Sequence, residues 1–96
     1  MPERIYQFLF SRQAEKFLAN PSNGISKDEV QRILVESVKK ITREAISSLD
    51  VIRMKGEFKG WYRVRVGRLR VIFLFAEGEI RIVSVDRIDF RGNVYE

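Results

Sequence analysis

The 96-residue sequence predicts an α+β fold, with two N-terminal helices packed on one face of a small antiparallel β-sheet. Three observations carry this. The chain opens on a short aromatic run that favours a strand. A capping box then launches a stripe of apolar residues at helical spacing. The second half alternates apolar and basic residues with a period of two, as strands do. The length allows one domain, residues 1–96. No repeat, linker or low-complexity tract interrupts it.

Taken in order, Ile5-Tyr6-Gln7-Phe8-Leu9-Phe10 reads as a strand. Ser11 caps a short helix to about Ala19, which buries Ala14, Phe17 and Leu18. The cluster Asn20-Pro21-Ser22-Asn23-Gly24 breaks it. Ser26 and Glu29 form a capping box, and a long helix is expected from there to about Ser48. Its stripe is Val30, Ile33, Leu34, Val38, Ile41, Ala45 and Ile46. Lys39, Lys40 and Arg43 fall mostly off the stripe, on a solvated face that suits the C-terminal end of the helix dipole. Three strands complete the chain: Trp61–Val66, Leu69–Phe75 and Ile80–Asp86.

Composition removes several chemistries. There is no cysteine, so no disulfide, thiolate nucleophile or zinc-thiolate site can form. There is no histidine, so no imidazole ligand and no Ser-His-Asp triad exists. No apolar run approaches the ~18 residues of a membrane span. The first residues do not read as a secretory signal, and the expected compartment is the cytoplasm. The formal charge is +5. Residues 1–50 carry 8 basic and 7 acidic side chains, and residues 51–96 carry 10 and 6, so the excess sits in the second half. Such a balance favours an anionic partner, nucleic acid first and an acidic protein second. A domain of this size buries only about 60–65% of its unfolded surface, so its margin of stability is thin.

Strand register says where the basic residues point. Gly67-Arg68 suits a two-residue type II′ hairpin, which opposes Val66 to Leu69, Arg65 to Arg70, Val64 to Val71, Arg63 to Ile72 and Tyr62 to Phe73. One face then carries Tyr62, Val64, Val66, Leu69, Val71, Phe73 and Phe75, and is expected under the helices. The other carries Trp61, Arg63, Arg65, Arg70, Ile72 and Leu74. The next hairpin, at Glu77-Gly78, is a weaker signal. A register that buries Ile80 and Ile82 places Arg81, Val83, Val85 and Arg87 on the arginine face. Two readings of that face stand side by side. Long arginines cover apolar strand surface while their heads reach water. Alternatively, converging guanidinium groups make a site for phosphate. The lack of any acid from Lys59 through Leu74 favours the second.

Met54-Lys55-Gly56, the run Trp61 to Phe73, and the terminal Arg87-Ile88-Asp89-Phe90-Arg91-Gly92-Asn93-Val94-Tyr95 resemble the RelE/ParE toxin superfamily, its RelE branch more than its ParE branch. The resemblance covers nearly the whole chain and implies a RelE-like β-α-α-β-β-β domain. It implies the toxin of a type II toxin–antitoxin pair, acting as a ribosome-dependent mRNA endoribonuclease. The ribose 2′-hydroxyl would attack the adjacent phosphate in the decoding site, with no metal and no cofactor. The implied partners are a RelB-like antitoxin, the ribosome and mRNA. Arg63 and Arg65 match basic residues of the family's active strand. Arg70 matches the arginine that faces the scissile phosphate. Arg91 matches the terminal-motif arginine, a leaving-group acid or stabiliser, and Tyr95 the tyrosine that orients a nucleotide. Lys55, Lys59, Trp61, Arg68, Arg81 and Arg87 are the expected RNA-binding set. Two departures stand out. Arginine replaces the lysines some members carry at 63 and 65, and arginine does not become a base. Phe90 stands where others have histidine. The alternatives are a ParE-like gyrase poison and a non-catalytic basic binding module or decayed toxin.

Overall fold

The computed structural model describes residues 4–90. The chain runs β1 (Ile5–Phe10), α1 (Arg12–Ala19), α2 (Lys27–Ile41), β2 (Asp50–Arg53), β3 (Tyr62–Val66), β4 (Leu69–Ala76) and β5 (Ile80–Phe90). The sheet order is β1-β5-β4-β3-β2. β1 runs parallel to β5 and every other pair is antiparallel, so the sheet is mixed. Both helices lie on one face. No described helix is long and apolar enough to cross a membrane.

The local signals explain most elements. Ser11 Oγ accepts from the Ala14 amide at 3.1 Å and starts α1, while donating to the Asp86 carbonyl at 2.6 Å. β1 stops at Phe10 but β5 continues to Phe90, which would leave one edge of β5 bare. Gln13 on α1 covers it: its amide accepts from the Ile88 N–H at 2.9 Å and donates to the Ile88 carbonyl at 2.8 Å. A side chain thereby replaces a missing strand rung. Phe17 packs on Phe90, ring centroids 5.2 Å apart. At α2 the capping box forms in both directions, Glu29 N–H to Ser26 Oγ at 3.1 Å and Ser26 N–H to Glu29 Oε1 at 3.2 Å. Val30, Leu34 and Val38 are fully buried, and meet Val64, Val71, Phe73, Val83, Val85 and Ile88 in one core.

Three expectations need correction. First, α2 ends at Ile41, not near Ser48. Thr42 turns its hydroxyl back on the Val38 carbonyl at 3.0 Å, and Arg43 takes a left-handed φ of 64°. The chain must leave the helix here to cross to the far edge of the sheet. Ala45 and Ile46, which extend the stripe on paper, are exposed. Second, Asp50–Arg53 is a further strand beyond the three expected in the second half. It is four residues long and pairs Asp50 with Arg65 and Ile52 with Arg63. Third, β5 lies one residue out of the expected register through its first half. Val83 and Val85, not Ile80 and Ile82, enter the core, and Arg81 goes with them. The expected β3–β4 pairs all form, from Val66 with Leu69 to Tyr62 with Phe73. Gly67 has φ 59° while Arg68 stays out of the left-handed region, which is the type II′ pattern.

Arg81 is 3% exposed and sits on the helix-covered face, so it is not part of the arginine face. Its guanidinium bonds Glu44 beyond α2, Glu77 at 3.1 Å and the Tyr6 hydroxyl at 2.9 Å. The two carboxylates and the hydroxyl make the burial of the charge tolerable. They also tie the loop after α2 to β1 and to the β4–β5 turn. Arg81→Ala should destabilise the fold by about 2 kcal/mol, and Arg81→Met by less because its stem still packs, as read by chemical denaturation. The Arg81 hydrogen bond, then that from Thr42, holds the Glu44 carboxyl below its usual value of 4.5. A depressed carboxylate contributes stability above that value and loses it as pH falls through the folded-state value. Acid unfolding monitored below pH ~4.5 should therefore begin at higher pH in Glu44→Gln, with the two proteins converging at lower pH.

Candidate functional site

The face of the sheet turned away from α1 and α2 carries a row of charges that crosses four strands. The cross-strand partners are Asp50 on β2, Arg65 on β3, Arg70 on β4 and Asp89 on β5. One row over stand Ile52, Arg63, Ile72 and Arg87. Two like charges directly opposed, Arg65 and Arg70, would repel. Asp89 compensates Arg70 directly, while Asp50 stands across from Arg65 and makes its ion pair with Arg63.

A β-bulge builds the right-hand end of the row. Ile72 faces Arg87 and Phe73 faces Val85, so Asp86 is an extra residue on β5. Before it, Arg81, Val83 and Val85 point at the helices. After it, Ile88 does, and Arg87 and Asp89 point at the open face. One expected strand thus divides its arginines between the two faces.

The pairings are specific. Arg70 Nε and Nη2 donate to Asp89 Oδ1 and Oδ2, each at 2.9 Å, with side chains 28% and 20% exposed. That is the strong bidentate form of the contact. Arg63 Nη2 meets Asp50 Oδ1 at 3.2 Å, and here the acid is half exposed at the sheet edge. Arg65 has no ion pair among the described residues. The Nε atoms of Arg63 and Arg65 are buried without a hydrogen-bond partner. Burial first, then the neighbouring Arg65 charge, lowers the Arg63 guanidinium from its ordinary value, which still leaves it charged at neutral pH. Arg63, Arg65, Arg70 and Arg87 against Asp50 and Asp89 leave two positive charges in excess. Such a surface attracts anions, and its unused guanidinium capacity suits phosphate oxygens.

The other expected site residues spread around this row. Lys55 and Lys59 are exposed on the β2–β3 loop, either side of the short turn Gly56–Phe58. Trp61 immediately precedes β3 and meets Phe58 edge-on, centroids 6.5 Å apart. Arg68 is exposed at the β3–β4 turn, its guanidinium 5.8 Å from the Phe90 ring. Arg87 is exposed on the arginine face. Arg81 is in the core. Arg91 and Tyr95 lie outside the described residues. Sequence reasoning missed Asp50 and Asp89. Neither acid is close to the arginines it faces along the chain; both arrive from neighbouring strands. A groove of about 700 Å³ lined by Phe8, Gln31, Arg32 and Val35 lies between β1 and α2, on the helical side and away from the open face that carries Arg63, Arg65, Arg70 and Arg87.

No family model matches the sequence, and no curated protein matches it significantly. Solved structures do. The chain is similar to a chain of the RelB-RelE antitoxin-toxin complex from Methanococcus jannaschii, at 23% identity over 91% of this chain and 94% of that one, with a TM-score of 0.51. It is similar to a chain of the E. coli DinJ-YafQ toxin-antitoxin complex, at 11% identity over 95% and 98%, TM-score 0.62. It is similar to a YoeB/ParE toxin from Agrobacterium tumefaciens, at 11% identity over 88% and 98%, TM-score 0.60. The fold is that of the RelE/ParE toxins.

The Arg70–Asp89 contact should be measurable in its own right. A double-mutant cycle with Arg70→Ala and Asp89→Ala, read by chemical denaturation, is expected to give a coupling of about 1–2 kcal/mol at low salt. The Arg63–Asp50 cycle should give less than about 1 kcal/mol, because Asp50 is at an exposed edge.

Proposed function

We propose that this chain is the toxin of a toxin–antitoxin pair, and that it cleaves mRNA on the ribosome with the open face of its sheet. The observation that carries the reading is the arginine row. Arg63, Arg65, Arg70 and Arg87 share one helix-free face of a sheet whose fold is that of the RelE/ParE toxins. A gyrase poison has no evident use for that row. Attack of a 2′-hydroxyl on the adjacent phosphate builds negative charge on the phosphorane oxygens, and fixed guanidinium groups stabilise it. Arg70 is oriented by its bidentate bond to Asp89 and by strands on both sides, so its position is set before substrate arrives. Arg65 lies directly opposite. Lys55, Lys59, Arg68 and Trp61 extend the basic and aromatic surface along the strand. Arg91 and Tyr95 are proposed as leaving-group stabiliser and nucleotide-orienting residue on the motif resemblance alone. The site of action is the cytoplasm, where ribosomes and message meet.

The proposed protein partner is a cognate antitoxin. Two similar structures are themselves toxin–antitoxin complexes. The same open face also exposes Ile5, Leu9 and Ile80 toward the other end of the sheet, a surface that an amphipathic segment would cover.

Expression alone should arrest growth by stopping translation, with relief on co-expression of the antitoxin. Purified full-length chain with translating ribosomes and a defined mRNA should give cuts mapped to the decoding site. Arg70→Ala and Arg65→Ala should each lower single-turnover cleavage on the order of a hundredfold while ribosome association changes little. Near-wild-type cleavage by both variants would sink the site. Arrest with DNA breaks and an intact message pool would transfer the reading to a gyrase poison.

A further inference from the structure

The carboxylate of Asp89 is out of place on a surface that only attracts phosphate. It repels a phosphodiester and neutralises one of the cations that would bind it. Yet it is the better-held of the two acids. It stands on β5 where that strand pairs with β4 on one side and is backed by Gln13 of α1 on the other, 20% exposed, with both oxygens engaged by Arg70. Asp50, by contrast, is half exposed on an edge strand and makes one contact. A carboxylate offers about four acceptor positions, and Arg70 takes two of them. What remains is fixed acceptor capacity, in the same row as Arg65 and two strands away from it. Neighbouring strands lie about 4.8 Å apart, so the two backbones are roughly 10 Å apart and their side chains span the interval. A partner that satisfies both ends needs an anion for Arg65 and, next to it, a neutral hydroxyl donor for Asp89. Adjacent phosphate and hydroxyl are what a ribose 3′-phosphodiester presents, and a deoxyribose lacks the hydroxyl.

We propose that Asp89 reads the ribose: with a backbone phosphate on Arg65, the Asp89 carboxylate accepts a hydrogen bond from the neighbouring 2′-hydroxyl, so that this face selects RNA over DNA. The inference rests on the reading of the face as an RNA site, and it concerns binding rather than cleavage. It accounts for a well-held acid at the end of a basic row. A pure phosphate site gains nothing from it, while a site that must distinguish two polyanions of equal charge needs an uncharged contact.

The test is equilibrium binding of the full-length chain to a short labelled single-stranded RNA and to DNA of the same sequence, at low ionic strength. Wild type should prefer RNA by about tenfold, the scale of one hydrogen bond to a charged group. Asp89→Ala removes a negative charge, so it should bind both strands more tightly while the preference falls to near one. Asp89→Asn keeps an acceptor and the shape, and should retain an intermediate preference. Circular dichroism establishes that each variant is folded, and if Asp89→Ala is not, Asp89→Asn decides: a preference equal to wild type overturns the inference. Arg65→Ala should weaken RNA and DNA alike and reduce the salt slope by about one. If Asp89→Ala raises both affinities and leaves the preference unchanged, Asp89 is only the counter-charge of Arg70, and the inference falls while the nucleic-acid face stands. If wild type binds neither strand, or Arg65→Ala changes nothing, the reading of the face fails and takes the inference with it.

Discussion

The extra residue in β5 decides what this sheet can do. β5 pairs with β4 from Ile82 to Phe90, and it presents core residues on one face and open-face residues on the other. In a regular strand the face of every side chain follows from one of them. Val83 and Val85 in the core would then send Ile88 to the open face and bring Arg87 and Asp89 under the helices. The bulge at Asp86 resets the alternation. Val83, Val85 and Ile88 all reach the core, and Arg87 and Asp89 both reach the open face. Without that inserted residue the row Asp50–Arg65–Arg70–Asp89 would lack its last member.

The bulge is held from outside the sheet. The Ser11 hydroxyl takes the Asp86 carbonyl, the Ser11 amide takes the Val85 carbonyl at 2.9 Å, and Gln13 takes both backbone groups of Ile88. The start of α1 thus serves as the edge partner of β5 where β1 has already ended. A cap residue that reads as a local helix signal is also a long-range clamp on the strand that carries Arg87 and Asp89.

The protein handles its arginines in two ways. Arg81 is enclosed on the helical side and surrounded by Glu44, Glu77 and the Tyr6 hydroxyl, so its charge is spent on tying a loop and a turn to the sheet. On the open face, acids hold Arg63 and Arg70 in place while leaving a positive excess. The difference is one of compensation. A buried guanidinium must be satisfied from within. A surface cluster can keep unsatisfied capacity and offer it to a ligand, and that capacity is what the proposed function uses.

What the residues determined alone were the elements whose signals are local. The capping box, the Asn-Pro break, the helical stripe as far as Ile41 and the Gly67-Arg68 hairpin were legible because each depends on contacts within a few residues. The hairpin also placed Arg63, Arg65 and Arg70 together on the face opposite Val64, Val71 and Phe73, since register follows from the turn. The ordered motif pointed to the toxin fold. Other features needed the tertiary structure. The exit of α2 at Thr42 contradicts the apolar continuation through Ala45 and Ile46, and depends on where β2 must lie. The side of the sheet that receives Arg81 depends on the better fit of Val83 and Val85 to the core, and on acids 37 and 4 residues away that can meet its charge. Asp50 and Asp89 join the arginines only through strands far apart in sequence. Charge compensation acts through space, and a one-residue bulge can redirect it, so a linear reading found the cations and missed the anions that hold them.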